Sequence, residues 1–323
     1  MKVAAAPAPS LVAPQLSAPP VLETLELWKE NMTNYGKLHC NLSQLNMWEG
    51  NAWYYDGIRV YNQIAERTGD AYWFGCADLQ IDLYRKYVLD SNGVVPGWRV
   101  FPHGFATHSQ RTQDATSRTA VFKLAEGNAS KYDNLAWSIN WQSSREISYA
   151  LSTLVMSEQL GLPRRPEFRD YVELLLGHFD QWFVSKNASF VQPFMVALAA
   201  EALIDYWTIT KDPRVLPLLR TAADQLWTNS WSESHQAFLY YNNDGSSGPA
   251  ADLNQLIAPI YGWVYRNTGA VGYREKGDKI FNSGVKNAWL SGGKQFSQSY
   301  RWSPKYVEWR APVAATIQVF RRK

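Results

Sequence analysis

Residues 53–73 read WYYDGIRVYNQIAERTGDAYW, and this stretch decides the fold. Its apolar residues recur every three to four positions, as in Ile58, Tyr61 and Ile64, which is typical of the buried face of an α-helix. The RTGD turn at 67–70 ends that helix, because glycine takes the left-handed C-terminal conformation without steric strain. The aspartate of the turn suits the start of a second helix. The stretch therefore predicts a helical hairpin.

This hairpin pattern recurs along the chain. Each copy has a helix-patterned segment, a short polar turn and a second helix-patterned segment. The turns are ERTGD (66–70), QRTQD (110–114), EQLGL (158–162), TITKD (208–212) and RNTGA (266–270). In each pair the first segment is nearly all apolar and the second is amphipathic. Because a helix that is apolar all round is buried, the repeat predicts inner helices covered by outer ones.

The repeat predicts the bounds of both helical layers. The inner helices are expected near 50–67, 98–111, 143–160, 191–208, 252–266 and 304–320. The outer helices are expected near 71–89, 114–129, 165–184, 214–228 and 271–290, with 21–45 as a sixth that closes the ring.

The chain thus resembles the six-hairpin (α/α)6 toroids of glycoside hydrolases and polysaccharide lyases. The resemblance covers residues 21–323 and is carried by the repeat, by the stretch at 53–73, and by GKQFSQSYRWSPKYVEWR at 293–310. It implies a single all-α toroid domain with a carbohydrate-active site, but no motif transfers catalytic residues. An open helical solenoid that binds protein is the alternative fold. Long aromatic connections on one side only favour the toroid.

Composition limits the classes of protein that fit. The 323 residues are 46% hydrophobic and 19% charged, and they include 15 Trp, which excludes a disordered chain. The net charge of +3 is spread out, so nucleic acid is not expected as a partner. No apolar run is long enough to span a membrane. Cys40 and Cys76 fit either one disulfide or two buried thiols.

Residues 1–20 are rich in Ala and Pro and lack the continuous apolar core of a signal peptide. We expect a linker or disordered tail, left from a larger multidomain protein. Because the resemblance implies a carbohydrate-active site, we expect the protein to be secreted, periplasmic or on the cell surface.

The connections that lead into the inner helices are longer and more aromatic than the turns that leave them. Function concentrates on such loops, so a cleft is expected at the inner-helix N-termini. Glycoside hydrolysis needs one protonated and one ionised carboxyl group. Asp56 and Glu146 are the preferred pair, with Glu49 a further candidate on the same predicted helix face as Asp56. For each acid, a helix cap or a structural ion pair is the alternative reading.

A uronate lyase would instead need a base for the C5 proton and cations for the carboxylate. His103 or Tyr300 is the predicted base. The predicted substrate-binding residues for either chemistry are Trp53, Tyr54, Arg99, Arg145, Asp252, Asn254, Arg301 and Trp302. The aromatic residues in this set are expected to stack on sugar rings, although core packing is the alternative for any single one.

A metal site is not expected, because no histidine lies three or four positions from another His, Asp or Glu. No cofactor motif is present either. The remaining alternative is a non-catalytic module that binds a poly- or oligosaccharide.

Overall fold

The computed structural model describes residues 20–41, 45–129, 140–242 and 247–311. Helix accounts for 70% of the described residues and strand for 2%, so the predicted all-α class is confirmed. Apart from Pro20, the predicted Ala/Pro-rich tail lies outside the described residues.

The α-helices are numbered here in chain order. They are α1 (Leu25–His39), α2 (Gly57–Thr68), α3 (Tyr72–Asp90), α4 (His103–Thr112), α5 (Ala115–Ala129), α6 (Ser144–Gln159), α7 (Phe168–Phe183), α8 (Pro193–Thr210), α9 (Val215–Ser230), α10 (Asn254–Thr268), α11 (Val271–Lys286), α12 (Gly293–Tyr300) and α13 (Ser303–Trp309). Short 3-10 helices span Gly97–Arg99, Trp141–Ser143 and Ala251–Leu253. Strands β1 (Trp231–Ser232) and β2 (Ala237–Phe238) pair antiparallel before α10.

The repeated turns share one hydrogen-bonding device. Thr68 Oγ1 donates to the carbonyl of Ile64 and accepts from the backbone N–H of Asp70. Gly69 between them has a φ of 69° and ends α2. The Asp70 side chain then accepts from the N–H of Tyr72, at the start of α3. The same threonine device recurs at residues 112–114, 210–212 and 268–270. These bonds satisfy backbone groups that a helix end leaves unpaired.

The helices within a hairpin differ in burial as predicted. Every residue of α10 from Asn254 to Tyr265 is buried. Its partner α11 buries one face, which includes Tyr273, Gly277 and Ile280. The buried apolar side chains of the described residues form one continuous cluster.

The buried helices contact one another in sequence order. Helix α2 packs on α4, α4 on α6, α6 on α8, and α8 on α10. Helix α10 contacts both α12 and α13, and α12 contacts α2. Helix α1 contacts α2, α11 and α12.

The predicted start of the first inner helix is wrong. Tyr55 and Asp56 have φ values of 63° and 67°, so α2 begins only at Gly57. A left-handed backbone at two successive positions cannot continue a right-handed helix. Glu49 therefore lies in the turn before the helix and shares no helical face with Asp56.

The last inner helix also differs from the prediction. It is divided into α12 and α13, which begin earlier than the expected 304–320, and residues 312–320 lie outside the described residues. The open question about the cysteines is answered by a disulfide between Cys40, just after α1, and Cys76 in α3.

Candidate functional site

Glu49 is held in an ion pair near the start of α2. Arg99 Nε and Trp98 Nε1 both donate to its Oε1, at 2.7 and 2.9 Å. Burial alone would raise the pKa of Glu49, but these two hydrogen bonds and the charges of Arg99 and Lys294 hold it below its usual value. A carboxylate in this setting suits an anchoring role better than proton donation.

Arg145 and Glu146 lie side by side at the start of α6. Arg145 Nη2 is 2.7 Å from Glu146 Oε1, and Glu146 is 8% exposed. The phenol of Tyr54 lies within reach of their charges. Burial raises its pKa most, and Tyr55, Glu49 and Glu146 raise it further while Arg145 opposes them. These effects indicate that the start of α6 lies near the segment before α2.

Asp252 lies in the short helix that leads into α10. The residue is half-buried, and burial raises the pKa of its carboxyl group. Among the described residues it forms no ion pair within 4 Å. The charges of Asp252 and Arg145 both act on the phenol of Tyr240, which is 37% exposed. We call Glu49, Tyr54, Arg145, Glu146, Tyr240 and Asp252 the helix-start cluster.

A second group of charges is buried. Glu201, in α8, places Oε1 2.5 Å from Arg59 Nη1 and Oε2 2.6 Å from Arg301 Nη2. Burial alone would raise the pKa of Glu201, but the two arginines lower it to about 2. The Arg301 guanidinium also lies 5.8 Å from the ring of Tyr55 and 5.5 Å from that of Tyr149. Arg301 was predicted to bind substrate, but it is 2% exposed and lies in the core.

His103 lies next to these ions. Its Nε2 is 2.7 Å from Asp205 Oδ2, and its Nδ1 is 4.0 Å from Asp56 Oδ2. His103, Asp205 and Arg59 help to line a cavity of about 380 Å³. We call Asp56, Arg59, His103, Glu201 and Arg301, together with the partly exposed Asp205, the buried charge cluster.

Asp56 is the N-cap of α2. Its carboxylate accepts from the backbone N–H of Arg59 at 3.2 Å and of Gly104 at 3.1 Å. A Cβ at position 104 would lie 2.4 Å from Asp56 Oδ1, so this contact requires glycine. Asp56 is 1% exposed, and its oxygens are used in holding α2 against α4. The geometry therefore favours the cap over the predicted catalytic role.

Several other predicted site residues lie in the core. Trp53, Tyr300 and Trp302 are each at most 2% exposed, which leaves no ring face free for a sugar. The Tyr300 hydroxyl donates to the carbonyl of Trp28, so it is not placed to act as a base. Asn254 is completely buried, and its side chain bonds to Gln236 O and Phe238 N in the β-hairpin.

The sequence reasoning missed Glu201, Asp205 and Tyr240. Glu201 is the one charged residue in the apolar run from Pro193 to Ile204, and Asp205 follows it by four positions. Four-residue spacing places two side chains on one helix face, so this pair was detectable. Tyr240 follows the short strand β2, and no such residue spacing indicates that it belongs to a site.

Two general features of the described residues bear on the kind of site. No three His, Cys, Asp or Glu side chains within them are arranged to hold a metal ion. None of the helices found there combines the length and apolarity needed to cross a membrane.

Comparison of the chain with protein-family models, curated proteins and solved structures finds no match.

Proposed function

We propose that the helices form a closed (α/α)6 toroid. The support is the order of contacts, in which α2, α4, α6, α8, α10 and α12 each touch the next and α12 touches α2. The contacts of α1 with α11 and α12 agree with its proposed place as the sixth outer helix. An open solenoid would leave its first and last repeats apart.

On this scaffold we propose a glycoside hydrolase that acts on a poly- or oligosaccharide at the helix-start cluster. The observation that carries the proposal is the environment of Asp252, a half-buried carboxyl with a raised pKa and no ion-pair partner among the described residues. A general acid must keep its proton near neutral pH, and burial favours the protonated form. Glu146, paired with Arg145, supplies the second carboxyl group.

The proposed reaction is an acid–base hydrolysis. Asp252 donates its proton to the glycosidic oxygen as the bond to the anomeric carbon breaks. Glu146 acts as the base for the attacking water or as the nucleophile, depending on the separation of the two carboxyl groups around the sugar. The exposed ring of Tyr240 provides an apolar surface for that sugar.

The test is incubation of the full chain with neutral and uronic polysaccharides. Hydrolysis produces new reducing ends without ultraviolet absorbance. Asp252→Asn and Glu146→Gln should each lower the rate by at least ~100-fold, since general acid–base groups contribute about 10²–10⁴. Asp82→Asn is the matched control, because Asp82 is 79% exposed on α3. Full activity in Asp252→Asn would remove Asp252 from the mechanism.

A lyase is the second candidate, and one observation favours it. The imidazole of His103 is oriented by Asp205 and lines a cavity beside Arg59. β-Elimination of a uronate would give new ends that absorb ultraviolet light, and His103→Ala would abolish that absorbance. Sugar binding with neither product would instead support the non-catalytic glycan-binding module.

The disulfide supports a location outside the reducing cytosol. Disulfides form and persist in oxidising compartments, and Cys40 and Cys76 are bonded. We therefore propose secretion, the periplasm or the cell surface. Expression in an oxidising and in a reducing compartment, followed by thiol titration, tests this.

A further inference from the structure

A groove of about 570 Å³ lies beside the helix-start cluster. Its walls come from His39 at the end of α1, from Asn41 just after it, from Gln80 in α3, and from residues 48–52, 289 and 291–295. Its volume is within the ~300–1,000 Å³ usual for small-molecule sites. We call it the Trp groove, because Trp48 and Trp289 line it.

These two tryptophans differ from those that pack in the core, such as Trp28 and Trp53. Trp48 is 70% exposed and Trp289 is 59% exposed. The Trp48 ring lies against Gly50, where a Cβ would come within 2.4 Å of it. Trp289 Nε1 donates to Ser291 Oγ at 2.5 Å. Both rings are thus held in place, which lowers the entropy lost on binding. Much of their surface still faces solvent.

Gln80 gives the groove an unsatisfied polar group. Its side chain is completely buried, and neither its amide oxygen nor its amide nitrogen has a hydrogen-bond partner in the described part of the chain. Buried amides are normally paired, so an orphan of this kind calls for a ligand or a water.

Lys294 gives the groove a positive charge that forms no salt bridge in the described residues, although it acts on Glu49 from a longer distance. No carboxylate in the described residues lies within 4 Å of its ammonium group, which lies 5.2 Å from the ring centre of Tyr54. Glu49, the acidic residue of the groove, is already bonded to Arg99. Lys294 is therefore available to an anion.

We infer that the Trp groove binds an acidic polysaccharide, with uronate rings stacked on Trp48 and Trp289 and a carboxylate held by Lys294. The inference rests on the proposed function for its ligand class, and it makes the groove a binding surface next to the cleaving site. Tryptophan faces supply the affinity for sugar rings. The cation supplies the preference for an acidic polymer.

The test measures binding of the full chain to polygalacturonate, alginate and a neutral β-glucan by titration calorimetry. Wild type should bind an acidic polymer more tightly than the neutral one. Trp48→Ala and Trp289→Ala should each weaken that binding about three- to tenfold. Lys294→Met should remove the preference for the acidic polymer. Tyr72→Ala, an exposed ring on α3, and Lys86→Met, an exposed charge, are the matched controls.

The inference is overturned if neither tryptophan variant loses affinity, or if the chain binds the neutral polymer as tightly as the acidic ones. Binding is measured separately from cleavage, so the two proposals fail separately. If the chain binds the acidic polymer tightly but never cleaves sugar, the hydrolase proposal is wrong and the groove inference stands. If cleavage depends on Asp252 while neither tryptophan variant loses affinity, the groove inference is wrong and the hydrolase proposal stands.

Discussion

Glu201→Gln tests the role of the buried charge cluster in stability. The substitution keeps the size of the side chain but removes the charge between Arg59 and Arg301, whose side chains are 9% and 3% exposed. Removing one partner of a buried ion pair costs about 3–5 kcal/mol, because the other charge stays buried without compensation. With an unfolding entropy of ~2.1 cal/mol/K per residue, the midpoint temperature should fall by about 4–7 °C.

The pH dependence gives this prediction a sharper form. The pKa of Glu201 is about 2 in the folded chain and 4.5 in the reference state. Because the folded value is the lower one, the stabilisation is complete above pH 4.5 and is lost as the pH falls towards 2. At pH 3.5 the loss amounts to roughly 1–2 kcal/mol. The stability difference between wild type and Glu201→Gln should therefore shrink by that amount between pH 7 and pH 3.5.

Chemical denaturation at both pH values provides the assay. Glu173→Gln is the matched control, because Glu173 pairs with Arg214 at a site where both side chains are about half exposed. Such surface pairs contribute about 0–1 kcal/mol. A loss below ~1 kcal/mol in Glu201→Gln, or a difference from wild type that does not change with pH, would refute the reasoning.

Two further substitutions test the supports around the sites. Cys40→Ser with Cys76→Ser opens a loop with a sequence separation of 36 residues, so denaturation should show a loss of about 4 kcal/mol; unchanged stability would contradict this. Gly104→Ala should destabilise by about 3 kcal/mol or more, because its Cβ would collide with Asp56 and Ile58. Its control is Gly75→Ala in α3, where a Cβ meets nothing within 4 Å and a small gain is expected.

The hairpin turns could be predicted because their causes are local. The threonine, the left-handed residue and the capping aspartate at 68–70 lie within three positions. Burial of α10 was predictable for the same reason, since an almost uniformly apolar helix has no face suited to water. Local chemistry therefore predicted the helical class and most helix bounds.

The buried charge cluster could not be predicted, because it joins distant parts of the chain. Glu201 is separated from Arg59 by 142 positions and from Arg301 by 100. The predicted start of α2 was wrong for another reason. Tyr55 and Asp56 have a left-handed backbone, and the Asp56 side chain accepts from the N–H of Gly104, 48 positions away. Helical spacing carries no information about such a contact.

The same geometry explains why Asp252, and not the predicted Asp56, is the proposed catalytic acid. Asp56 was the preferred candidate because it is an acid on an aromatic helix, and Asp56 is buried in the structure. A buried acid acts on substrate only if its oxygens remain free, and those of Asp56 accept from two backbone N–H groups. Asp252 is half-buried, so it combines a raised pKa with some access to solvent. Proton donation needs both properties, and among the carboxylates of the helix-start cluster Asp252 has them together.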